Sequence, residues 1–279
     1  MKNRVWFITG CTSGFGNILC KQLLAKGERV VATARNPEQL QSLHSLTQHQ
    51  DQLLILKLDV TNKSEIIAAV EETKKNFGRI DVLINNAGYG ATGALEEVSE
   101  EEIRKNFETN VFGLFEVTRA ALPMMRSQKS GYLINFSSVA GMVAKPGAGV
   151  YAATKFAVEG MSEALALELK PFNIKVTLIE PGGFRTNFAG SALKMAPPMK
   201  EYDESLAAIR EMYRTIDGKQ PGDPEKAVKA MIELVDHPNP PFRLPMGEIA
   251  LASIRAKLSQ YEKDLDTWEK VIIGTDFPK

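Results

Sequence analysis

The 279-residue chain has little that could staple, ligate or anchor it. Two cysteines, Cys11 and Cys20, are too few to cross-link a chain of this length. Its three histidines, His44, His49 and His237, lie in polar stretches with no ligand spacing to those cysteines, so no metal is expected. No apolar run approaches the ~18 residues of a membrane span. No charged segment followed by an apolar leader core precedes the first apolar strand, and the expected setting is reducing and cytoplasmic. Charge of one sign is missing too: 34 Lys+Arg stand against 34 Asp+Glu, with no Lys/Arg run longer than two. Binding a polyanion needs clustered positive charge, so neither nucleic acid nor a membrane surface is an expected partner.

What is present is ordinary globular material, 44% hydrophobic and 24% charged, which excludes disorder and collagen-like order. Length alone suggests about two domains at roughly 150 residues each. The pattern along the chain argues differently. A short apolar run from Arg4 to Thr9 ends in glycines, and a helix-length stretch follows from Gly14 to Lys26. The alternation repeats as strands at 29–34, 52–58, 81–85, 132–137 and 174–180, with helices at 37–46, 62–77, from 99, and at 151–170. Strand and helix in alternation predict an α/β fold, an open, doubly wound parallel sheet with helices on both faces.

The helix from Ser99 carries a Ser-x-x-Glu capping box with Glu102. Ile103, Phe107, Val111, Leu114, Thr118, Leu122 and Met125 mark its inward face, and Asn110 borders that face. A buried Asn must find partners or cost about 1–3 kcal/mol, so it is a register device or a functional group. The segment 184–223 breaks the alternation. Tyr202, Leu206, Ile209, Tyr213 and Ile216 have helical spacing within it, fitting a helix over core or, as favoured here, a lid over a pocket. After a last strand at 242–245, an extension from 247 carries Leu251, Ile254, Leu258, Tyr261, Leu265, Trp268 and Ile272 on alternating steps of three and four. That narrow seam marks a helix roughly 33 Å long. Packing on its own subunit is the first expectation; closing the pocket or meeting a second chain are the alternatives.

The first βα turn reads Thr9-Gly10-Cys11-Thr12-Ser13-Gly14-Phe15-Gly16. Glycines there let backbone approach a pyrophosphate at a helix N-terminus, although tight-turn geometry alone also asks for them. Four more motifs follow in order: Asn85-Asn86-Ala87-Gly88 after the fourth strand, Ser138 after the fifth, Tyr151-Ala152-Ala153-Thr154-Lys155 opening a helix, and Pro181-Gly182-Gly183-Phe184-Arg185-Thr186. With these, the sequence resembles the short-chain dehydrogenases/reductases over residues 4 to about 247. Within that family it looks most like bacterial carbonyl reductases related to hydroxysteroid and retinol dehydrogenases. The resemblance implies a Rossmann-type sheet of about seven strands, with nearly all 279 residues in a single domain that carries a lid and a C-terminal helix.

Tyr151 and Lys155 are four apart and share a helical face. A cation within about 4–6 Å lowers a phenol of pKa ~10 toward neutral, so Tyr151 is expected to exchange a proton with a carbonyl or alcohol oxygen. Ser138 would hydrogen-bond that same oxygen. The resemblance implies further roles. Lys155 would bind the nicotinamide ribose, Asn110 would hold a relaying water, and Thr186 would meet the carboxamide. Gly10, Thr12, Ser13, Gly14, Phe15, Gly16, Val60, Ala87, Gly88, Pro181, Gly182 and Phe184 would complete the cofactor contacts. Asn86 would support the adenine ribose side, and Asp59 would contact the adenine amine or simply cap the helix near 62.

Cofactor choice rests on Ala34-Arg35 at the end of the second strand, where an acidic residue would bind the ribose of NAD. NADP(H) is favoured and NAD(H) remains possible, with Arg35 acting nearly alone because Ser13 stands where some NADP-preferring relatives have a second base. An exposed, solvated Arg35 is the alternative. Tyr89, Ser138, Met142, Val143, Phe184, Phe188 and Met195 follow strand ends and are the candidate pocket for an apolar ketone or aldehyde, unless the aromatics and methionines are core. The competing function is a regulator that senses the nucleotide and turns nothing over. The resemblance also implies a homodimer or homotetramer through the helices carrying Asn110 and Tyr151, where Ala152, Ala153 and Ala157 allow close approach.

Overall fold

The computed structural model describes residues 3–49 and 51–277. Its strands, in chain order, are β1 (Val5–Ile8), β2 (Arg29–Ala34), β3 (Leu53–Lys57), β4 (Val82–Asn85), β5 (Gly90–Thr92), β6 (Gly131–Phe136), β7 (Ile174–Pro181), β8 (Leu193–Met195) and β9 (Arg243–Met246). Seven form one parallel sheet in the order β3-β2-β1-β4-β6-β7-β9. The order reverses between β1 and β4, and in a parallel sheet every strand delivers its C-terminal end to the same edge. Ligands bind in the crevice outside such a reversal. This is the Rossmann-type α/β architecture expected.

The strands read as continuous apolar runs because both faces are covered. On one face Trp6, Ile8, Val30, Ala32 and Ile134 pack with Leu19, Leu23 and Leu24 of α1 (Gly14–Ala25), with Leu40 and Leu43 of a 3₁₀ segment (Pro37–Leu46), and with Val228 and Met231 of α7 (Pro224–Leu234). On the other, Val5, Phe7, Val31 and Leu133 meet Ile66 and Val70 of α2 (Lys63–Phe77) and Val117, Ala121 and Met125 of α4 (Leu114–Gln128). Each fully buried large side chain contributes about 1.5–3 kcal/mol. The 3₁₀ geometry at 37–46 replaces an expected α-helix. Helix α7 falls where the sequence reading named no element.

The long helix expected from Ser99 is interrupted. α3 (Glu100–Phe107) runs through a π turn (Glu108–Gly113) into α4. Ser99 accepts the Glu102 N–H at 3.2 Å, which makes half of the capping box; the Glu102 carboxylate does not return to the Ser99 N–H and lies near Tyr89. Because a π turn inserts one residue, it rotates Asn106 and Asn110 into the interior, 0% and 1% exposed. Gly113 follows, pressed so closely on Val60 that a Cβ there would lie 2.8 Å from its side chain. Helix α5 (Gly149–Glu168) lies on this same face of the sheet.

The excursion 184–223 contains β8 and α6 (Asp203–Thr215). β8 pairs in parallel with β5, Gly90 facing Leu193 and Thr92 facing Met195. One buried carboxylate ties the excursion down: Glu97 accepts the N–H groups of Ala94 and Met199, both at 2.7 Å, and pairs with Arg210 of α6. Arg210 also reaches Asp203 at 2.7 Å. Burial works to raise the Glu97 pKa, but the two N–H donors and Arg210 outweigh it and hold the group below its ordinary value.

Helix α8 (Glu248–Ile273) corrects the expectation of packing on its own subunit. Only Ala250 and Ile254 are buried; Leu258, Tyr261, Leu265, Trp268 and Ile272 all face outward. The body of the protein ends beneath the first turns of the helix and the rest projects past it.

Removing one partner of a buried ion pair costs several kcal/mol locally. Glu97→Gln is therefore expected to speed proteolytic cleavage between residues 196 and 216 at least ~10-fold at neutral pH, with little change in cleavage elsewhere. The contribution of a lowered carboxyl is present above its unfolded value of 4.5 and is lost as pH falls through the folded one. Wild-type cleavage should thus accelerate in acid while that of the variant stays flat.

Candidate active site

The glycine turn after β1 is held from behind by the Asn85-Asn86-Ala87-Gly88 loop after β4. The N–H groups of Asn86 and Ala87 both donate to Thr9 Oγ1 at 3.0 Å, and the Asn86 amide donates to the carbonyls of Thr9 and Gly10 at 2.9 Å. Gly10 sits at φ +72°, and a Cβ on Gly16 would lie 2.3 Å from the Gly10 oxygen, so both positions demand glycine. Ser13 begins α1 with no side-chain cap, which leaves the first N–H groups facing outward beside exposed Thr12. Gly14 faces Thr186, where a Cβ would sit 3.4 Å from the threonine Cβ. This cradle fits a pyrophosphate, with Asn86 positioned to brace the turn.

The ends of β2 and β3 open onto a groove of about 570 Å³ lined by Arg35, Lys57, Asp59, Thr61, Asn62, Lys63, Ser64 and Glu65. Asn62 caps α2, accepting from the N–H groups of Ser64 and Glu65, whereas Asp59 closes a local turn on Thr61 at 2.9 Å. The alternative of Asp59 as helix cap is thereby answered. Val60 is buried against Gly113, which leaves only its backbone for a ligand. Sequence reasoning missed two cations here. Arg35 is not alone, since Lys57 stands beside it through the pairing of Ala34 with Lys57, and Lys63 lines the same groove. Lys57 is already paired with Glu65 at 2.7 Å.

Ser138, Tyr151, Lys155 and Asn110 meet beyond the end of β6. Lys155 is 6% exposed and donates to the Phe136 carbonyl at 2.7 Å. Its ammonium lies 5.7 Å from the centre of the Tyr151 ring. Asn110 clamps Tyr89, accepting its N–H at 3.0 Å and donating to its carbonyl at 2.9 Å, and donates to Thr154 at 3.2 Å. Gly88 is wedged between, where a Cβ would come within 2.9 Å of Asn110 Oδ1 and 3.8 Å of Lys155 Nζ. Ser138 Oγ accepts the Ala140 N–H at 3.1 Å and donates to the Pro181 carbonyl at 3.5 Å, close enough to Tyr151 to act on its titration.

The titration of this cluster departs from the expectation. Burial pushes the Tyr151 phenol up rather than toward neutral, Ser138 pulling it down and Tyr213 adding to the rise. Burial likewise lowers Lys155 to about 8, opposed by the charge of Glu159. Desolvation is the largest cause for both groups.

The expected pocket residues divide. Phe188 stacks 5.5 Å from the Tyr151 ring, half-buried Met142 and Val143 follow Ser138, and Met195 stands on β8. Tyr89 turns away toward Glu102 and Asn106, the Asn106 amide donating to its carbonyl at 3.0 Å, and burial, then Glu102, push its hydroxyl up to about 12. Phe184 is core, its ring 5.4 Å from that of Phe15 and pressed on Gly222 and Gly247. Three residues of α6 complete the enclosure. Leu206 and Ile209 rest over Gly147, four residues before Tyr151, and Tyr213 is near enough to act on the titration of Tyr151. Their helical spacing was visible in the sequence; their proximity to Tyr151 needed the fold.

Behind the site lies a buried acidic pair. Glu180 of β7 and Glu159 of α5 are 1% and 4% exposed. Arg243 of β9 bonds Glu159 at 2.9 Å and Glu163 at 2.7 Å and stands 3.6 Å from Glu180. Burial, then the Glu159 charge, push Glu180 up to about 7. Burial also raises Glu159, with Ser137 and Arg243 working against it.

Known proteins share this sequence and fold over most of the chain. The family model for short chain dehydrogenases matches residues 4–196. A 3-ketodihydrosphingosine reductase from Bacteroides thetaiotaomicron is 38% identical over 251 residues, 89% of this chain and 90% of that protein. A short-chain dehydrogenase crystal structure from Streptomyces avermitilis superposes with a TM-score of 0.91 at 39% identity, covering 99% and 100% of the two chains. One from Burkholderia phymatum in complex with NAD gives 0.81 at 26% identity over 94% and 95%. A serine dehydrogenase in a closed form with NADP+ gives 0.74 at 30% over 87% and 94%.

A carboxyl raised in the folded state adds stability that is complete below its unfolded value of 4.5 and is lost as pH rises through about 7. Glu180→Gln keeps the neutral form at every pH. Its urea midpoint is expected to exceed that of the wild type at pH 8 and to lose that advantage at pH 5.

Proposed function

Because the chain belongs to the short chain dehydrogenase family and is an oxidoreductase of that family, we propose that it transfers hydride between NADP(H) and the carbonyl or secondary alcohol of an apolar small molecule. The observation that carries this reading is the meeting of Ser138, Tyr151 and Lys155 at the end of β6, beneath α6 and beside the Gly14–Thr186 cradle. Neighbours that bind NAD or NADP support a nicotinamide cofactor. Preference for NADP(H) is supported by the three cations of the groove, Arg35, Lys57 and Lys63. Apolar character is supported by Phe188 beside the Tyr151 ring and by half-buried Met142 and Val143 just after Ser138.

The bound nicotinamide supplies or accepts the hydride at the carbonyl carbon. The α1 N-terminus would hold the pyrophosphate, Thr186 and Lys155 the nicotinamide end, and the groove with Asp59 and the backbone of Val60 the adenosine end. In reduction Tyr151 gives its phenolic proton to the substrate oxygen, and in oxidation it takes the alcohol proton back. Ser138 hydrogen-bonds the same oxygen as its charge develops. Lys155 sets the electrostatics of that proton from beneath the ring, and Asn110, through its clamp on Tyr89, keeps the loop carrying Gly88 against it. The excursion 184–223 acts as a lid over one domain that spans the chain, and α6 excludes water from the phenol.

We also assign a homodimer or homotetramer. Support comes from an outward stripe on α5, where Ala153, Phe156, Gly160 and Leu167 are exposed, and from Phe112 at the π turn. Ala152 faces the core and takes no part. Free, buried Cys11 and Cys20 are consistent with a reducing, cytoplasmic setting.

The test is NADPH depletion across ketones, aldehydes and quinones. Tyr151→Phe is expected to lower kcat by about 10²–10⁴-fold while NADPH still binds. Cofactor binding with no turnover in the wild type would favour the sensing regulator instead. Arg35→Asp should move the NADPH/NADH preference toward NADH by roughly 10–100-fold, the worth of one charged hydrogen bond to a phosphate; an unchanged ratio refutes the assignment.

A further inference from the structure

The outward seam of α8 is a strict heptad. Leu251, Leu258, Leu265 and Ile272 recur every seven residues and Tyr261 and Trp268 fill the alternate steps, while Ile254, on the same seam at the root, is buried against the body of the subunit. Tyr261 and Trp268 are 61% and 59% exposed, and from Leu258 onward no residue of the helix is buried. The projecting part, Leu258 to Ile273, is about 24 Å long at 1.5 Å per residue. A projecting helix with a two-position apolar seam has the form of half a coiled coil.

Charge selects the missing half. The root of the helix carries Arg255 and Lys257 beside the seam, whereas the outer half carries Glu262, Asp264 and Glu269 there. None of Arg255, Glu262 and Glu269 makes an ion pair among the described residues. A parallel copy would align acid with acid along the outer half. An antiparallel copy lays each acidic outer half on the other's basic root. An anionic lipid surface is a poor match, because residues 260–273 hold Glu262, Asp264, Asp266 and Glu269 against only Lys263 and Lys270.

We propose that α8 is an interaction surface for a second copy of this chain, paired antiparallel. Leu258 of each copy packs on Tyr261 of the other, Leu251 meets Trp268, and Arg255 faces Glu262. The surface lies apart from the α5 stripe, although Lys257 touches its edge, 4.9 Å over the Phe156 ring with its ammonium on the Met142 carbonyl at 2.5 Å. The inference does not depend on the catalytic reading.

The test uses the full chain in two forms with one added cysteine each, Leu251→Cys and Trp268→Cys, and a short bismaleimide; native Cys11 and Cys20 are buried. Mixed, the two forms should cross-link, while neither does so alone. Cross-linking by Trp268→Cys alone means a parallel pair and overturns the proposal, as does a mixture that stays uncoupled. In an otherwise native chain, Arg255→Glu should raise the dissociation constant of this contact at least ~10-fold by light scattering, and Arg255→Glu with Glu262→Arg should restore it. Failure of the double exchange to restore association also overturns the pairing. So does flotation of the wild-type chain with phosphatidylcholine–phosphatidylglycerol vesicles accompanied by a blue shift of Trp268 emission.

Discussion

The bond from the buried Lys155 ammonium to the Phe136 carbonyl is the contact on which the site depends. An ammonium removed from water must be compensated, and here one backbone oxygen at the end of a central strand and the more distant charge of Glu159 do most of it. That requirement fixes α5 against β6, and with α5 it fixes Tyr151, one turn earlier on the same face. Ser138 lies two residues past Phe136, so strand and helix deliver all three groups as one unit. Gly88 is the complement: only a residue without a side chain lets the β4 loop approach Lys155 and Asn110 together.

Much of this was legible in the sequence because it is written in local terms. Alternating apolar runs and glycine turns fixed the strands of the parallel sheet to within a residue or two, and the four-residue spacing of Tyr151 and Lys155 fixed their common face. The positions of Ser138, Asn86 and Thr186 relative to strand ends followed from the same reading. Less legible were features created by contacts distant in sequence. The π turn at 108–113 has no periodicity of its own in a single turn, and its effect of bringing Asn106 inward beside Asn110 emerges only when the helix packs. Lys57 joins Arg35 because β2 and β3 are in register, which the order of residues along the chain does not state.

The misplaced aromatics share one cause. Tyr89 and Phe184 both follow strand ends, the right address for a ligand pocket, yet each found a nearer partner: Glu102 and Asn106 for one, Phe15 for the other. Address gives the neighbourhood of a side chain, not its direction. The α8 seam failed differently. Its spacing was read correctly as a helix, but periodicity says only that one face is apolar and leaves open what covers it.

The Lys57–Glu65 ion pair has a consequence for selectivity. The charge a ligand meets in that groove is set partly by how far Glu65, a residue of α2, has already satisfied Lys57. With the adenosine end in this groove, as proposed, cofactor preference would be adjustable at one remove. A substitution at position 65 changes the positive potential in the groove while Arg35, Asp59 and every glycine of the cradle stay as they are. Such a site offers evolution, or an engineer, a graded control in place of an on-off exchange.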